Sequence, residues 1–395
     1  NQYAQKSDKA GNPIEITAPD GSFTLKYDKN GNISEATTPN QKTAITYDSN
    51  NNTTSVNSLA GSVSAQYDNN NNVTKVSTAN TSVDLSYDQN NKISQISQTI
   101  NTTGQTLISK INLDAEGKLS SILKANGDIA LYSYDLAGRI TSITNRNASK
   151  AMLSRYNYQF DNASNITAIS EDRTRALSTY NYDGRNQLIN ENAVSYSYDP
   201  MGNRTKMVNA AETVNYSYDA VDSNLLLSAN STLSGNTSYE YDSNGNVVKK
   251  TNPAGITTYV YDTDGYFTNA VLSNGTKVEY TYDKISKLRT SRTVTNLDGT
   301  TSIINFTWDS DRLISETDNS GKVLKAYAWD ENERLVSVSI PDETGTLKTF
   351  YYVKNAKGDI TSLTDQNGIR VVDYEYDAWG NIKKSVTLAS SPISN

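Results

Sequence analysis

Along this chain, aromatic residues spaced two apart alternate with short polar clusters, and the pattern returns from end to end. The pairs Tyr196/Tyr198, Tyr216/Tyr218, Tyr259/Tyr261 and Tyr280/Tyr282 are the plainest cases. Side chains at i and i+2 share one face of a strand, so each pair predicts a strand with an aromatic face. Behind the second aromatic stands an Asp, then a polar run. An aliphatic residue such as Ile33, Ile140, Ile166, Leu288, Leu335 or Ile382 then predicts the start of a return strand. The full skeleton is Tyr-x-Tyr-Asp, two free positions, Gly, a polar residue and an aliphatic one. It stands as Tyr132-Ser-Tyr-Asp-Leu-Ala-Gly-Arg-Ile140, as Tyr239-Glu-Tyr-Asp-Ser-Asn-Gly-Asn-Val247 and as Tyr374-Glu-Tyr-Asp-Ala-Trp-Gly-Asn-Ile382.

With the Asp as marker, units fall at Asp28, Asp48, Asp68, Asp88, Asp114, Asp135, Asp161, Asp183, Asp199, Asp219, Asp242, Asp262, Asp283, Asp309, Asp330 and Asp377. Asn355 holds a degenerate sixteenth place. The first three intervals are 20 residues and the later ones run from 16 to 26. The fourth skeleton position is Gly at 31, 117, 138, 202, 245, 265, 358 and 380, and Asn at 51, 71, 91 and 186. Both residues tolerate positive φ. Each unit is therefore predicted to be a hairpin in which Asp opens a type I turn closed through a positive-φ residue. A second polar loop, such as Asn252-Pro-Ala-Gly255 or Asp298-Gly-Thr300, leads to the next unit. Asp309-Ser-Asp-Arg-Leu313 is one residue short, and Trp308, Trp329, Leu113 and Phe160 stand where the Tyr is expected. These exchange one large apolar residue for another and keep the packing role.

Residues 1–395 are read as one continuous repeat body, because short repeats stack rather than divide into separate globules. Within it, residues 1–100 hold regular 20-residue units whose outer Tyr is replaced by Leu25, Ile45, Ala65 or Leu85, and residues 101–340 hold longer, variable ones. A soft boundary near residues 101–104 separates the two repeat classes. The count implies roughly 34 strands and, at about 4.8 Å each, on the order of 160 Å of sheet. A flat sheet of that width is unstable. Closed into one ring, it would be roughly 50 Å across, too wide for side chains to fill. The expected fold is all-β: tandem hairpins forming a curved, spiralling antiparallel sheet, a hollow shell or part of one.

Composition narrows the chemistry. There are 27 Tyr against 5 Phe, and 35% of residues are hydrophobic, which suits short strands and polar turns. No Cys excludes disulfides and thiolate metal sites, and no His removes the usual general base and commonest metal ligand. The net charge of −7, with both signs interspersed, argues against nucleic acid as a partner. No apolar span predicts a membrane crossing, and residues 1–30 do not read as a signal peptide. The pattern runs to both ends, so the chain is read as a piece of something longer.

Several motifs invite functional readings and favour plainer ones. Asp-x-Asn-Gly-Asn at 28–32 and 242–246 superficially matches a calcium loop, but Gly stands fourth rather than sixth and no Glu recurs at the twelfth place. Turn selection explains these residues. A Tyr-lined sugar platform would concentrate its aromatics, whereas here they are spread over every unit, as cross-strand cohesion requires. The evenly spaced Asp residues sit at turns, where backbone N–H groups occupy them, which leaves no glycosidase pair. No phosphate loop or serine elbow is present. Asn-x-Ser/Thr triplets, as at Asn32 and Asn165, follow from composition. The chain is read as no enzyme, with no catalytic, cofactor-binding or metal-binding residue and no cofactor.

From these repeats the chain resembles the YD-repeat proteins, also called Rhs-repeat proteins. They include bacterial Rhs and wall-associated toxins, the C component of insecticidal toxin complexes, and teneurins. The resemblance covers residues 15–385. It is most specific at Tyr351-Tyr-Val-Lys-Asn-Ala-Lys-Gly-Asp-Ile-Thr-Ser-Leu-Thr-Asp-Gln-Asn-Gly368 followed by Tyr374-Glu-Tyr-Asp-Ala-Trp-Gly-Asn381. That pair is similar to the start of the Rhs-associated core, here residues 341–395. The family's repeats wind into a hollow β shell that, in its toxins, encloses a C-terminal toxic domain released by autoproteolysis. The Gly-Leu-Tyr-Tyr-type segment and Asp-Pro-rich cleavage region of the family do not appear by Asn395, and Asp199-Pro200 reads as an internal turn. No catalytic residue is therefore carried over.

The resemblance implies a structural shell segment of a secreted or cell-wall-associated bacterial toxin. Its partners would be the protein's own C-terminal toxin domain and flanking repeats. The alternative is an adhesion module that binds a cell-surface glycan or receptor through the outer face.

Overall fold

The structure, a computed structural model, describes residues 4–18, 21–38, 41–58, 61–79, 81–100, 105–222, 224–283, 286–309, 311–329 and 335–388. Asp330 and the repeat-class boundary at 101–104 lie outside them. The described residues form a single sheet of 36 strands, numbered in chain order from β1 (Ala4–Ser7) to β36 (Ile382–Thr387). Each strand pairs antiparallel with the next one in the chain. The fold is all-β and the sheet curved and unclosed. The expected count of about 34 strands falls short because the hairpin of β1 and β2 (Pro13–Ala18) carries Ser7, not an aromatic, before its Asp8. Asp8 makes the same turn without the marker: its N–H donates to Asn12 O and the Gly11 N–H to Asp8 O.

Every unit bends for the same reason. Between β3 (Gly21–Tyr27) and β4 (Ile33–Thr38), Lys26 faces Glu35 but Tyr27 faces Ile33, a bulge created by one extra residue on the return strand. The same shift recurs at Tyr47, Tyr67, Tyr134, Tyr198, Tyr241 and Tyr376. Bulges increase local twist and bend the strand that carries them, and this many in one sheet impose sustained curvature.

Curvature turns the sheet back onto itself. Residues on the tyrosine face of early strands meet the opposite face, or the turn rim, of late ones. Thr43 of β5 (Gln41–Tyr47) donates to Asp283 across 240 residues. Farther along, Ser337 of β32 (Leu335–Pro341) donates to Gln98 of β10 (Ile93–Ile100) across 239 residues. At the end of the overlap, Ala378 N–H reaches Glu191 across only 187. The residues needed for one revolution therefore decrease along the chain, so the later revolution is the tighter one. It lies on the tyrosine face of the earlier revolution.

The apolar core follows this overlap. Val83, Ile93, Ile96 and Ile111 from the first revolution pack with Ala328 and Val336 from the second. Val338, Phe350, Leu363, Val371 and Val372 form a second cluster inside the late strands. Elsewhere the wall is one sheet thick. Within β22–β27, spanning Leu226 to Tyr282, only Ser231 and Ala270 are buried. The accessible surface is 21240 Å² for 43.3 kDa, against about 15,000 Å² for a compact protein of that mass. The excess is what a thin wall with two exposed faces requires.

Candidate functional site

The repeating site is the tyrosine–aspartate unit, and Asp48 shows its parts. The Asp48 N–H donates to Asn52 O, and the Asn51 N–H returns to Asp48 O at 3.2 Å. Its carboxylate accepts the Asn50 N–H at 2.8 Å, the Asn52 N–H at 2.9 Å and the Asn52 side-chain amide at 3.0 Å. Asn51 takes φ 65°, and Gly245 in the equivalent place takes 82°. The Asn52 side chain, followed by the backbone donors, holds the Asp48 carboxyl below the ordinary range, and Asn246 does the same for Asp242. Turn aspartates of this kind are fully engaged as acceptors. Asn355 forms the same loop with its polarity reversed, its amide donating to Asp359 at 2.8 Å.

The second part of the unit is the aromatic ahead of the Asp. Tyr47 Oη donates to Ile33 O, Tyr67 to Thr53 O, Tyr134 to Leu119 O, Tyr218 to Arg204 O, Tyr241 to Leu226 O and Tyr376 to Ile360 O, all within 3.0 Å. Each accepting carbonyl lies at the head of the previous unit's return strand. The phenol therefore ties one hairpin to the one before it. Burial pushes the Tyr47, Tyr67 and Tyr241 phenols up from their ordinary value, which keeps them as donors.

Trp308 and Trp329 make the same tie with Nε1, to Arg289 O at 2.6 Å and Leu313 O at 2.7 Å. From the sequence these positions carry packing alone. The preference for Tyr and Trp over Phe was the signal that a donor is needed.

Side-chain amides add a third link in the regular segment. Asn50 and Asn52 both donate to Asn71 Oδ1, and Asn30 and Asn32 both donate to Asn51 Oδ1. Where arginine heads the return strand, as Arg204 does and as Arg289 does in place of the expected Leu288 because that turn is one residue longer, the guanidinium stacks on the rings instead. Arg289 lies 4.0 Å over Tyr280, and Arg204 lies 4.7 Å over both Tyr216 and Trp379.

Lys124 and Asp128 are buried together where the revolutions overlap. In the loop after β12 (Leu119–Leu123), Lys124 takes the place that Asp holds elsewhere. Its Nζ donates to Tyr352 O at 2.7 Å. Burial brings Lys124 down to about 8, against the pull of Asp128. Asp128, 1% exposed, accepts Thr364 Oγ1 at 2.5 Å and Asn126 Nδ2 at 3.0 Å, and Asn126 also donates to Asp365 O. Gly368 packs so closely here that a Cβ would lie 2.7 Å from Asp128 Oδ1.

Farther along, Glu191, 2% exposed, accepts the Ala378 N–H at 3.1 Å and Lys383 Nζ at 3.0 Å. Trp379 meets the Tyr196 ring edge-on, with centroids 5.5 Å apart.

A cavity of about 530 Å³ lies where β5–β7, spanning Gln41 to Tyr67, cross β29 (Thr301–Asp309). Two of its lining carboxylates are engaged: Asp283 accepts Thr43 and Ser286, and Asp309 pairs with Arg312 at 2.9 Å. Among the described residues, no group of three or more acidic side chains could hold a metal ion. No helix among them is long and apolar enough to cross a membrane.

A curved, unclosed sheet of tandem tyrosine–aspartate hairpins defines a shell-forming repeat protein. The teneurin YD-shell family model matches residues 21–193, 78–230 and 189–389, and the chain belongs to that family. It is 26% identical over 264 residues to the tRNA3(Ser)-specific nuclease WapA of Bacillus spizizenii, a match covering 65% of this chain and 9% of that protein. The tRNA nuclease WapA of Bacillus subtilis matches to the same extent. Among solved structures, the fold is similar to the Photorhabdus luminescens Tc holotoxin pore. That match has a TM-score of 0.63 and 13% identity, over 98% of this chain and 25% of the other. The chain thus spans about a tenth of the length of these curated relatives.

Proposed function

We propose that this chain is a wall segment of a hollow β shell belonging to a secreted or cell-wall-associated bacterial toxin. In this reading it encloses and helps deliver a C-terminal effector domain and catalyses no reaction itself. Residues 1–395 act as one continuous shell fragment, with 341–395 opening the Rhs-associated core. Its partners are that effector and the flanking repeats. The observation that carries the reading is the one-layer wall that curls past a full revolution and exposes far more surface than a compact protein. Family membership and the names of the WapA relatives support the toxin context.

The test joins this segment, within its natural flanking repeats, to the C-terminal domain and subjects the product to limited proteolysis. Encapsulation predicts that the C-terminal domain resists cleavage inside the intact shell and becomes sensitive once the shell is denatured. A C-terminal domain cut equally fast in both conditions overturns the proposal.

A further inference from the structure

The buried Lys124 and Asp128, and the buried Glu191 carboxylate whose partner Lys383 stays 47% exposed, do not behave as ordinary adhesive. Burying ions costs desolvation, and replacing such a group by a well-packed apolar one is often neutral or stabilising. A buried charge instead discriminates sharply between arrangements, because any other alignment leaves it unpaired. Both clusters sit at one edge of the first revolution, Lys124 in place of the turn Asp and Glu191 at the end of its strand. In the loop that opens at Lys124, the polar side chains reach out of their own turn and bond the second revolution. Lys124 takes Tyr352 O, Asp128 takes Thr364, and Asn126 takes Asp365 O. At the end of β18 (Leu188–Glu191), Glu191 similarly reaches the turn before β36 and Lys383. These contacts bracket β33 (Leu347–Lys354), β34 (Ile360–Thr364), β35 (Arg370–Tyr376) and β36, one cluster toward each end.

We propose that these clusters form a two-point latch that sets where the inner revolution seats on the outer one, and that β33–β36 lift as one flap when it is released. The proposal rests on reading the chain as shell wall, where a seated inner revolution determines whether the space behind it is closed. Within the flap, the pairing of β33 to β36 and the contacts among Phe350, Leu363, Val371 and Val372 are internal and survive lifting, and the flap stays joined to Val338 of β32 at its hinge. What lifting breaks is the seam, so the flap moves as a unit rather than unravelling.

Native-state hydrogen exchange followed by mass spectrometry, on this chain alone, tests the latch separately from any cargo. Lys124→Met combined with Glu191→Gln is expected to speed exchange about tenfold or more. The increase should fall together on peptides from 347–388 and on their seat at 119–196, with 235–282 unchanged. Tyr241→Phe, outside the overlap, is expected to do the reverse, raising exchange near 226–241 and leaving 347–388 alone. Equal acceleration across the chain, or none in 347–388, overturns the latch. Should the double variant not fold, Glu191→Gln alone keeps an acceptor for Ala378 and removes the Lys383 ion pair. It is then expected to accelerate 370–388 selectively, and exchange there at the wild-type rate overturns the proposal.

Discussion

A single phenolic oxygen distinguishes most units of this protein from a generic aromatic hairpin. Tyr241 Oη donates to Leu226 O at 2.7 Å, and the same tie is made by tryptophan N–H at 308 and 329. Removing the hydroxyl keeps the ring contacts and leaves a part-buried carbonyl without that donor. Tyr241→Phe is expected to lower stability by about 1 kcal/mol, read from the chemical denaturation midpoint. Trp329→Phe should cost a similar amount for the same reason, whereas Phe160 already lacks a donor and Phe160→Leu loses ring packing and the Arg139 guanidinium contact but no hydrogen bond. Wild-type stability in Tyr241→Phe would show that the ring alone carries the unit. The aromatic row was legible in the sequence from its spacing. Its hydrogen bonds were not, because the accepting carbonyl belongs to the previous hairpin and carries no side-chain signature.

At the scale of the hairpin, the turn decides stability through backbone geometry and carboxylate charge. Gly245 takes φ 82°, where Asn51, Asn71, Asn91 and Asn186 stand in other units at 59–65°. Gly245→Val is expected to destabilise by more than about 1 kcal/mol, and Gly245→Asn by less, compared by thermal melting.

Charge sets the pH range of the hairpins. Asp48, Asp68 and Asp242 have folded values held below the ordinary one, chiefly by the neighbouring Asn side chains. Their stabilisation is complete above about pH 4 and is lost as pH falls through the lowered folded values. Tyr47, Tyr67 and Tyr241 are raised by burial, so their contribution is complete below about pH 10 and is lost as pH rises through the raised values. Asp309, raised by burial despite Arg312, works against the acid loss and offsets part of it. The melting temperature is therefore expected to form a plateau that falls at both ends. A maximum near pH 3 would contradict the turn assignment.

At the scale of the whole molecule, a thin curved wall encloses space, and its mass lies far from its centre. A compact protein of this length would have a radius of gyration of about 21 Å. Small-angle scattering is expected to give a clearly larger value, with the low internal density of a hollow particle. A value at the compact limit would mean that the sheet stacks as a filled solenoid. Repeat arrays ordinarily couple only to nearest neighbours. Here the seam joins residues about 190–240 positions apart, so the two revolutions stabilise each other as a solenoid's repeats do not.

By itself the sequence determined the hairpins, their turn chemistry, the aromatic face and the need for a sheet this wide to curl. Each of these is a short-range property, written in residues within about one repeat of one another. Some local features were still hidden. Asp8 carries no aromatic marker because Ser7 precedes it, and the loops opening at Lys124, Asp318 and Asp342 are the same turn as the marked ones. Only the tertiary structure decided which units face each other across the seam. That choice depends on bend accumulated over some 20 strands, where a small change in curvature per bulge shifts the alignment by a whole unit. The latch residues Lys124, Asp128 and Glu191 were unreadable for the same reason: each looks like a surface charge until a strand from the next revolution covers it.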